Sequence, residues 1–346
     1  MKALFIGLGS IGQRHLRNLL QLMPEVDLSA VRRKHSKDIV FDDNNKILKN
    51  TTLVKKYNLS EFSSLTQALK TKFDLIFITN PSSFHFKAAK QAITSGAFIF
   101  IEKPAVHDEK DLLELEALDG IYKQKIFVGY QYRFHPVIKK SRELLNNNAL
   151  GNLVSARFKN AEYLPDWHPY EDYRDSYAAK KKLGGGTLLT QIHDLDYSTF
   201  LLGSPKELFA VGGKNSSLEV DVEDCVQILM SIPKKNKNIP VSISLNYVEK
   251  PSERTYEIIG DSGKIVCDLN NSILRWHSND KGKKFLTFSY DNFKRNHMFL
   301  DEMKAFLSFA LGNAQVCISL KDSALSLRLV FLAKKSMMSR ESYQLN

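Results

Sequence analysis

From Lys2 the chain runs through a short apolar stretch to Ile6, then Gly7-Leu8-Gly9-Ser10-Ile11-Gly12, then Gln13 to Leu22 with Leu16, Leu19 and Leu20 on one side. Strand, glycine turn and helix in that order constrain the fold more than any other segment. A GxGxxG turn in this setting opens a βαβ unit that binds a dinucleotide. The first glycine permits the tight turn, the second lets backbone approach a pyrophosphate, and the third lets the helix pack closely. The helix N-terminus then stabilises the negative charge. Gly7, Gly9, Ser10, Ile11 and Gly12 are therefore candidate dinucleotide ligands.

The alternation continues with strands at Asp27 to Arg32, Asp74 to Thr79, Ala97 to Ile101 and Ile126 to Gly129. Helices are expected at Leu65 to Lys70, Ser83 to Ser95 and Asp111 to Gln124. Strands and helices in turn predict an α/β fold, a Rossmann domain with a doubly wound parallel sheet. The polar, Asn-rich region from His35 to Ser63 predicts an irregular or shortened crossover. Beyond about residue 122 the pattern becomes strand after strand, from Leu153 to Tyr163 through to Phe285 to Tyr290, with turn signals such as Asp261-Ser262-Gly263 and Asp280-Lys281-Gly282. Helices are expected at Thr187 to Leu202, Arg295 to Leu311 and Ser323 to Ser336. The reading is a second, α+β domain with an open, largely antiparallel sheet, giving 1–122 and 123–346. A length of 346 residues suits two domains.

Composition narrows the function classes. Lys and Arg number 49 against 38 Asp and Glu, a net charge of +11. The basic runs Arg32 to Lys34, Lys180 to Lys182 and Lys234 to Lys237 lack the aromatic interleaving of a nucleic-acid binder, so no nucleic-acid partner is expected. Three widely spaced cysteines, Cys225, Cys267 and Cys317, form no CxxC pair. They suggest neither a disulfide framework nor a metal site, and fit a cytoplasmic protein. No apolar run approaches the roughly 18 residues of a spanning helix, so no membrane partner is expected.

In a site for NAD, a carboxylate about 20 residues after the glycines binds the ribose hydroxyls, whereas an arginine there accepts the 2′-phosphate of NADP. Here the second strand ends in Val31-Arg32-Arg33-Lys34, without a carboxylate. Two guanidiniums suit a phosphate by charge and fork geometry, which favours NADP over NAD as cofactor.

Further along stand Thr79-Asn80-Pro81, His85, Gly96 and Glu102-Lys103-Pro104, which a generic Rossmann domain does not need. Together they resemble the glucose-fructose oxidoreductase and inositol dehydrogenase family, Gfo/Idh/MocA, with its opening GxGxxGxxH, its T-x-P-x-x-x-H segment and its E-K-P tripeptide. Gly129 to Pro136, reading GYQYRFHP, is similar to the family's passage into its second domain. Gly184-Gly185-Gly186 followed by His193 and Asp196 is similar to its GGG…H-x-x-D helix. The resemblance implies a nicotinamide-dependent oxidoreductase acting on a sugar, polyol or derivative, and a homodimer or homotetramer built through the second sheet. It also implies that Thr79, Asn80, Pro81 and His85 border the cofactor ribose, with Glu102 and Lys103 beside the nicotinamide.

Exchange of hydride with a carbinol needs a group to take or give the hydroxyl proton. Lys103, at the C-terminal edge of a parallel strand, is one candidate. His193 is the second, with Asp196 one turn away to orient the imidazole or stabilise its protonated form. Many family members carry an Asp four residues before this histidine, where this chain has Leu189. Asp194, Asp196 or Tyr197 could replace it, or Lys103 could act alone. Tyr163 to Tyr177 is too aromatic for a casual linker. With Arg133, the residues Trp167, His168, Tyr173, Arg174 and Tyr177 are expected to bind substrate, as a lid favouring an anionic sugar. Two other readings stay open: a glycosidase using transient oxidation by tightly held NAD, and a non-catalytic dinucleotide sensor.

Overall fold

The computed structural model describes residues 1–32, 38–42, 46–168, 170–235, 237–279 and 285–345. Arg33 and the Asp280-Lys281-Gly282 turn lie outside the described residues. The chain divides into two compact units, Met1–Tyr130 with Phe299–Ala324, and Gln131–Met298 with Leu325–Asn346.

In the first unit, chain order runs β1 (Lys2–Ile6), α1 (Ser10–Leu22), β2 (Asp27–Val31), the small pair β3 (Val40–Phe41) and β4 (Ile47–Leu48), α2 (Leu53–Tyr57) and β5 (Ser60–Phe62). Then follow α3 (Leu65–Ala68), β6 (Leu75–Ile78), α4 (His85–Ala92), β7 (Phe98–Glu102), α5 (Glu109–Ile121) and β8 (Ile126–Gly129). Six strands form one sheet in the order β5-β2-β1-β6-β7-β8, with every pairing parallel. This is the doubly wound order whose reversal, between β1 and β6, opens a ligand crevice at the strand C-termini. The crossover from 35 to 63 is indeed broken into short pieces among its described residues, yet it delivers an edge strand, β5.

Register explains why this core is firm. Phe5, Phe77, Phe100 and Phe127 are cross-strand partners on four adjacent strands, so their rings share one face. Centroids lie 4.5, 5.7 and 5.6 Å apart along the row. Phe306, from the returning segment Phe299–Ala324, meets three of the four rings at 5.4 to 5.6 Å. Such pairs add about 0.5–1.5 kcal/mol each beyond simple burial. The unit therefore extends past the 122 boundary expected from sequence, because β8 completes the aromatic row and Phe306 covers it.

The second unit contains α6 (Pro136–Asn146), β9 (Leu153–Tyr163), α7 (Thr187–Thr190), α8 (His193–Leu202), β10 (Glu207–Gly213), β11 (Cys225–Lys234), β12 (Lys237–Asn246) and β13 (Val248–Gly260). It continues with β14 (Gly263–Asp268), β15 (Ile273–Ser278), β16 (Leu286–Ser289) and β17 (Tyr343–Gln344). Helix α9 (Arg295–Ala310) leads into the segment returned to the first unit, and α10 (Leu320–Ser339) leads back out. The nine strands order as β16-β15-β14-β13-β9-β12-β11-β10-β17; β12 with β9 is parallel and the other pairings are antiparallel. Alternation places Ala156, Phe158 and Asn160 of β9 on the buried face. No helix among the described residues is long and apolar enough to cross a membrane.

The helix expected over Thr187 to Leu202 is two helices. Helix α7 stops at Thr190, and the next bond steps three residues, from the Asp194 amide to the Gln191 carbonyl at 3.2 Å. Four-residue spacing resumes with the Asp196 amide on the Ile192 carbonyl. Leu189 and Thr190 therefore do not continue the His193 face by helical spacing, as the sequence suggested. Leu189 is buried, and the Thr190 hydroxyl is tied to Tyr247 and to the Gly186 carbonyl at 2.8 Å.

Candidate functional site

In the first unit the three glycines of the opening turn have three different reasons to be glycine. Gly7 sits at φ +104, where a Cβ would stand 2.6 Å from the Asn80 amide nitrogen. At Gly12 a Cβ would stand 2.3 Å from the Gly7 carbonyl oxygen and 2.8 Å from Thr79 Oγ1. At Gly9 a Cβ would meet nothing within 4 Å. Gly9 is the N-cap of α1, its carbonyl accepts from the Gln13 amide at 3.0 Å, and its extended backbone at φ −70 suits any residue. Space is thus kept clear at the helix N-terminus, where an anion is favoured.

Thr79 donates through Oγ1 to the Gly7 carbonyl at 2.5 Å, joining the ends of β1 and β6 across the crevice. Next to it, Asn80 Oδ1 is buried without a hydrogen-bond partner. A buried amide oxygen without a donor is a place for a ligand hydroxyl or an ordered water. The clear space at Gly9 and this orphaned acceptor together fit a dinucleotide.

Two residues expected at the cofactor make hydrogen bonds within the protein. His85 was expected at the ribose, but its Nδ1 lies 2.8 Å from the Pro104 carbonyl and its Nε2 lies 2.7 Å from the Asn80 carbonyl. It latches the Thr79-Asn80-Pro81 segment to the Glu102-Lys103-Pro104 segment. Burial lowers its pKa below the usual histidine value, against the two carbonyl bonds that favour the charged ring. Glu102 was expected beside the nicotinamide, but Oε1 meets His15 Nε2 at 2.5 Å and Oε2 accepts from the Lys103 amide at 3.1 Å. It ties α1 to the end of β7. His15 had a sequence signal, the final position of GxGxxGxxH, without an assigned role.

Arg32 was expected to meet a 2′-phosphate. Its guanidinium instead lies 2.9 Å from Asp38 and 2.8 Å from Glu61. Glu61 belongs to the edge strand β5, which sequence could not place beside β2. Pro81 adjoins Asn80 as the cap of a short 3-10 turn. Lys103 follows directly on β7, and its peptide bond to Pro104 is cis.

In the second unit, Asp196 was expected one turn from His193 to orient it. Its carboxylate forms a two-pronged pair with Arg133, Nε to Oδ2 at 2.9 Å and Nη2 to Oδ1 at 2.6 Å. The same pair engages Arg133, which was expected to bind substrate. The guanidinium binds the 3-10 turn Gln131–Phe134 to α8 and stacks over Phe200 at 5.0 Å. His193 is buried, with its Nε2 3.2 Å from the side-chain Nε2 of Gln131 and its ring 4.9 Å from that of Tyr132.

Arg254 organises the polar groups around it. Its guanidinium lies 4.4 Å over the Tyr132 ring, donates to the Tyr132 hydroxyl, and stands 3.5 Å from Asp194 and 3.6 Å from Glu162. Burial alone would push its pKa down, but the facing Tyr132, Asp194 and Glu162 hold it above the usual arginine value. Burial raises Asp194 above the usual carboxylate range, opposed by Arg254, Tyr197 and Asn160. None of Arg254, Glu162 and Gln191 had a local motif in the sequence, and Gln131 lay within the GYQYRFHP segment without an assigned role.

The aromatic segment expected as a substrate lid is a small core of its own. Leu164, Ala178 and Ala179 pack with Leu218, Val220, Val222 and Tyr247, and Trp167, Tyr173 and Tyr177 cover them. The polar tips are used internally: His168 on Glu171 at 2.7 Å, the Tyr173 hydroxyl on the Glu219 amide at 3.1 Å, and Arg174 on Asp172 and Glu219. Arg174 holds the Asp172 carboxyl down at about 2. Among the described residues, no group of three or more His, Cys, Asp or Glu could hold a metal ion.

Residues 1–130 match the GFO/IDH/MocA oxidoreductase family, NAD-binding Rossmann fold, and residues 138–266 match the GFO/IDH/MocA C-terminal domain. Myo-inositol 2-dehydrogenase of Thermotoga maritima is 24% identical over 98% of this chain and 97% of its own. Among solved structures, GenD2 of gentamicin A biosynthesis, in complex with NAD, superposes with a TM-score of 0.80 at 20% identity, covering 100% of this chain and 96% of that one. The WlbA dehydrogenase of Bordetella pertussis, in complex with NADH and UDP-GlcNAcA, gives 0.77 at 15% identity, covering 100% and 99%. These two likenesses bear on the fold.

Proposed function

Because the chain belongs to the GFO/IDH/MocA family of oxidoreductases, we propose that it interconverts a CH–OH carbon and a carbonyl on a sugar, polyol or nucleotide sugar, with a nicotinamide dinucleotide as partner. The clear space at Gly9, at the switch point of the parallel sheet, carries this reading. The backbone of Gly7 to Gly12 would hold the pyrophosphate and Asn80 Oδ1 a ribose hydroxyl. When bound, the dinucleotide supplies the two-electron exchange.

The protein's own residues manage protons and position. Lys103 gives or takes the proton of the reacting oxygen, and His193 is the second group able to do so. Glu102 and His85 act through the backbone they hold, keeping Lys103 and Asn80 in place. Arg32, already facing two carboxylates, weighs toward NAD, since a 2′-phosphate would have to displace Asp38 or Glu61. We also propose a homo-oligomer through the sheet face that bears exposed Val211 and Leu229.

The test follows absorbance at 340 nm with NAD and NADP against myo-inositol, UDP-N-acetylglucosamine and its uronate. Expected is turnover of at least one probe, abolished in Lys103→Ala while NADH affinity is retained. NADH binding without turnover of any probe would sink the proposal.

A further inference from the structure

We propose that Glu162, with Gln191 beside it, is a substrate-binding wall that accepts hydrogen bonds from neutral sugar hydroxyls; this rests on the oxidoreductase reading above. Both residues belong to the second unit, Glu162 near the end of β9 and Gln191 at the break between α7 and α8. Gln191 is fully buried, and its Nε2 lies 3.1 Å from the Asn246 carbonyl and 3.4 Å from Glu162 Oε2. Both partners are acceptors, so turning the amide over would set oxygen against oxygen. The orientation is fixed, and Gln191 Oε1 has no donor. The same reasoning holds for Asn160, whose Nδ2 donates to Asp194 at 2.8 Å and whose Oδ1 is left without a partner. On Arg254, Nε is a buried donor also without a partner.

Two carboxylates flank Arg254, and they are not equivalent. Asp194 has 0% side-chain exposure and is used up by Tyr197, Asn160 and Arg254. Glu162 is 32% exposed, beside Arg254 and Gln191. An accessible carboxylate, buried amide oxygens lacking donors and one buried donor form a set that matches polyols. Each hydroxyl donates once and still accepts. An anionic group would meet a carboxylate here and be repelled. The neutral ring hydroxyls therefore belong at this wall, and any phosphate or uronate carboxyl is held elsewhere.

The experiment compares wild type with Glu162→Gln and Glu162→Ala, using myo-inositol, UDP-N-acetylglucosamine and glucuronate as probes, by thermal shift and by turnover with NAD. Glu162→Gln keeps shape and fold, so a melting temperature and NADH affinity like wild type are expected. KM for a neutral probe should rise about 10-fold or more, the worth of one hydrogen bond to a charged acceptor, with kcat changed less. Glucuronate should gain relative to myo-inositol, the uncharged probe. If Glu162→Gln binds and turns over the probes as wild type does, the wall is not a substrate contact, and the dehydrogenase reading survives. If wild type neither binds nor turns over any probe, the polyhydroxylated-substrate reading falls and takes this inference with it.

Discussion

Replacing Gly9 with alanine isolates the ligand's demand on the glycine turn from the fold's. A methyl group there would meet nothing of the protein within 4 Å, and φ −70 with ψ −171 is ordinary backbone for alanine. Two effects on stability oppose each other. Losing glycine's freedom in the unfolded chain stabilises by about 0.4–1 kcal/mol. Alanine is a poorer N-cap than glycine by a similar amount. The melting temperature should therefore stay within about 4 °C of wild type. Binding is a separate matter, since the methyl enters the space kept for a pyrophosphate. An overpacking cost of about 1–3 kcal/mol weakens NADH about 5- to 150-fold. Gly12→Ala is the control: its Cβ would lie 2.3 Å from the Gly7 carbonyl, so it should lose stability and binding together. Fluorescence titration with NADH and differential scanning calorimetry read both quantities. Wild-type affinity in Gly9→Ala would refute the assignment of this turn to the dinucleotide, and a fall in melting temperature as large as that of Gly12→Ala would refute the geometry.

Glu61→Gln removes one of the two carboxylates facing Arg32, and the ratio of NADP to NAD affinity should rise about 2- to 5-fold, the scale of a partly exposed pair; an unchanged ratio would show that Arg32 lies away from the ribose. Asp119 is buried, and burial pushes its carboxyl up to about 6. Because the folded value exceeds the unfolded one, this group's stabilisation is complete below about pH 4 and is lost as pH rises through 6. Asp119→Asn should therefore melt near wild type at pH 4 and above it at pH 8, by an amount capped at about 3 kcal/mol; equal differences at both pH values would contradict this. Arg254→Met leaves Asp194 buried without its cation, at a cost of about 3–5 kcal/mol by chemical denaturation. Adding Asp194→Asn should recover part of the loss, and simple additivity would show that the two are not coupled.

What sequence disclosed and what it withheld divide by distance along the chain. The GxGxxG turn was legible because its reasons are local, although the separate tasks of Gly9 and Gly12 needed coordinates. The strand pattern of both sheets was legible because side-chain alternation is local too. The pairs that went unseen join residues far apart: Glu102 to His15, Arg133 to Asp196, Arg254 to Asp194. No spacing rule reaches across such separations, so a charged residue beside a motif was read as facing a ligand while its partner within the protein went unseen. The break at Gln191 was hidden for a different reason, since Thr187 to Leu202 contains no glycine or proline to mark it.

The return of Phe299–Ala324 to the first unit shows what such long-range placement does to chemistry. It sets Phe306 on the aromatic row and also buries Glu302 completely, with neither carboxylate oxygen hydrogen-bonded. Burial first, and the charge of Glu102 second, hold Glu302 well above the usual carboxylate range. As a neutral acid, Glu302 leaves the contact between Glu102 and His15 undisturbed. Ionised, it would set a second negative charge in the same dry interior and weaken the tie between α1 and the strand that carries Lys103. The neutral form of Glu302 thus spares the Glu102–His15 contact a second negative charge in the same interior. Nothing near either residue in the sequence announces it.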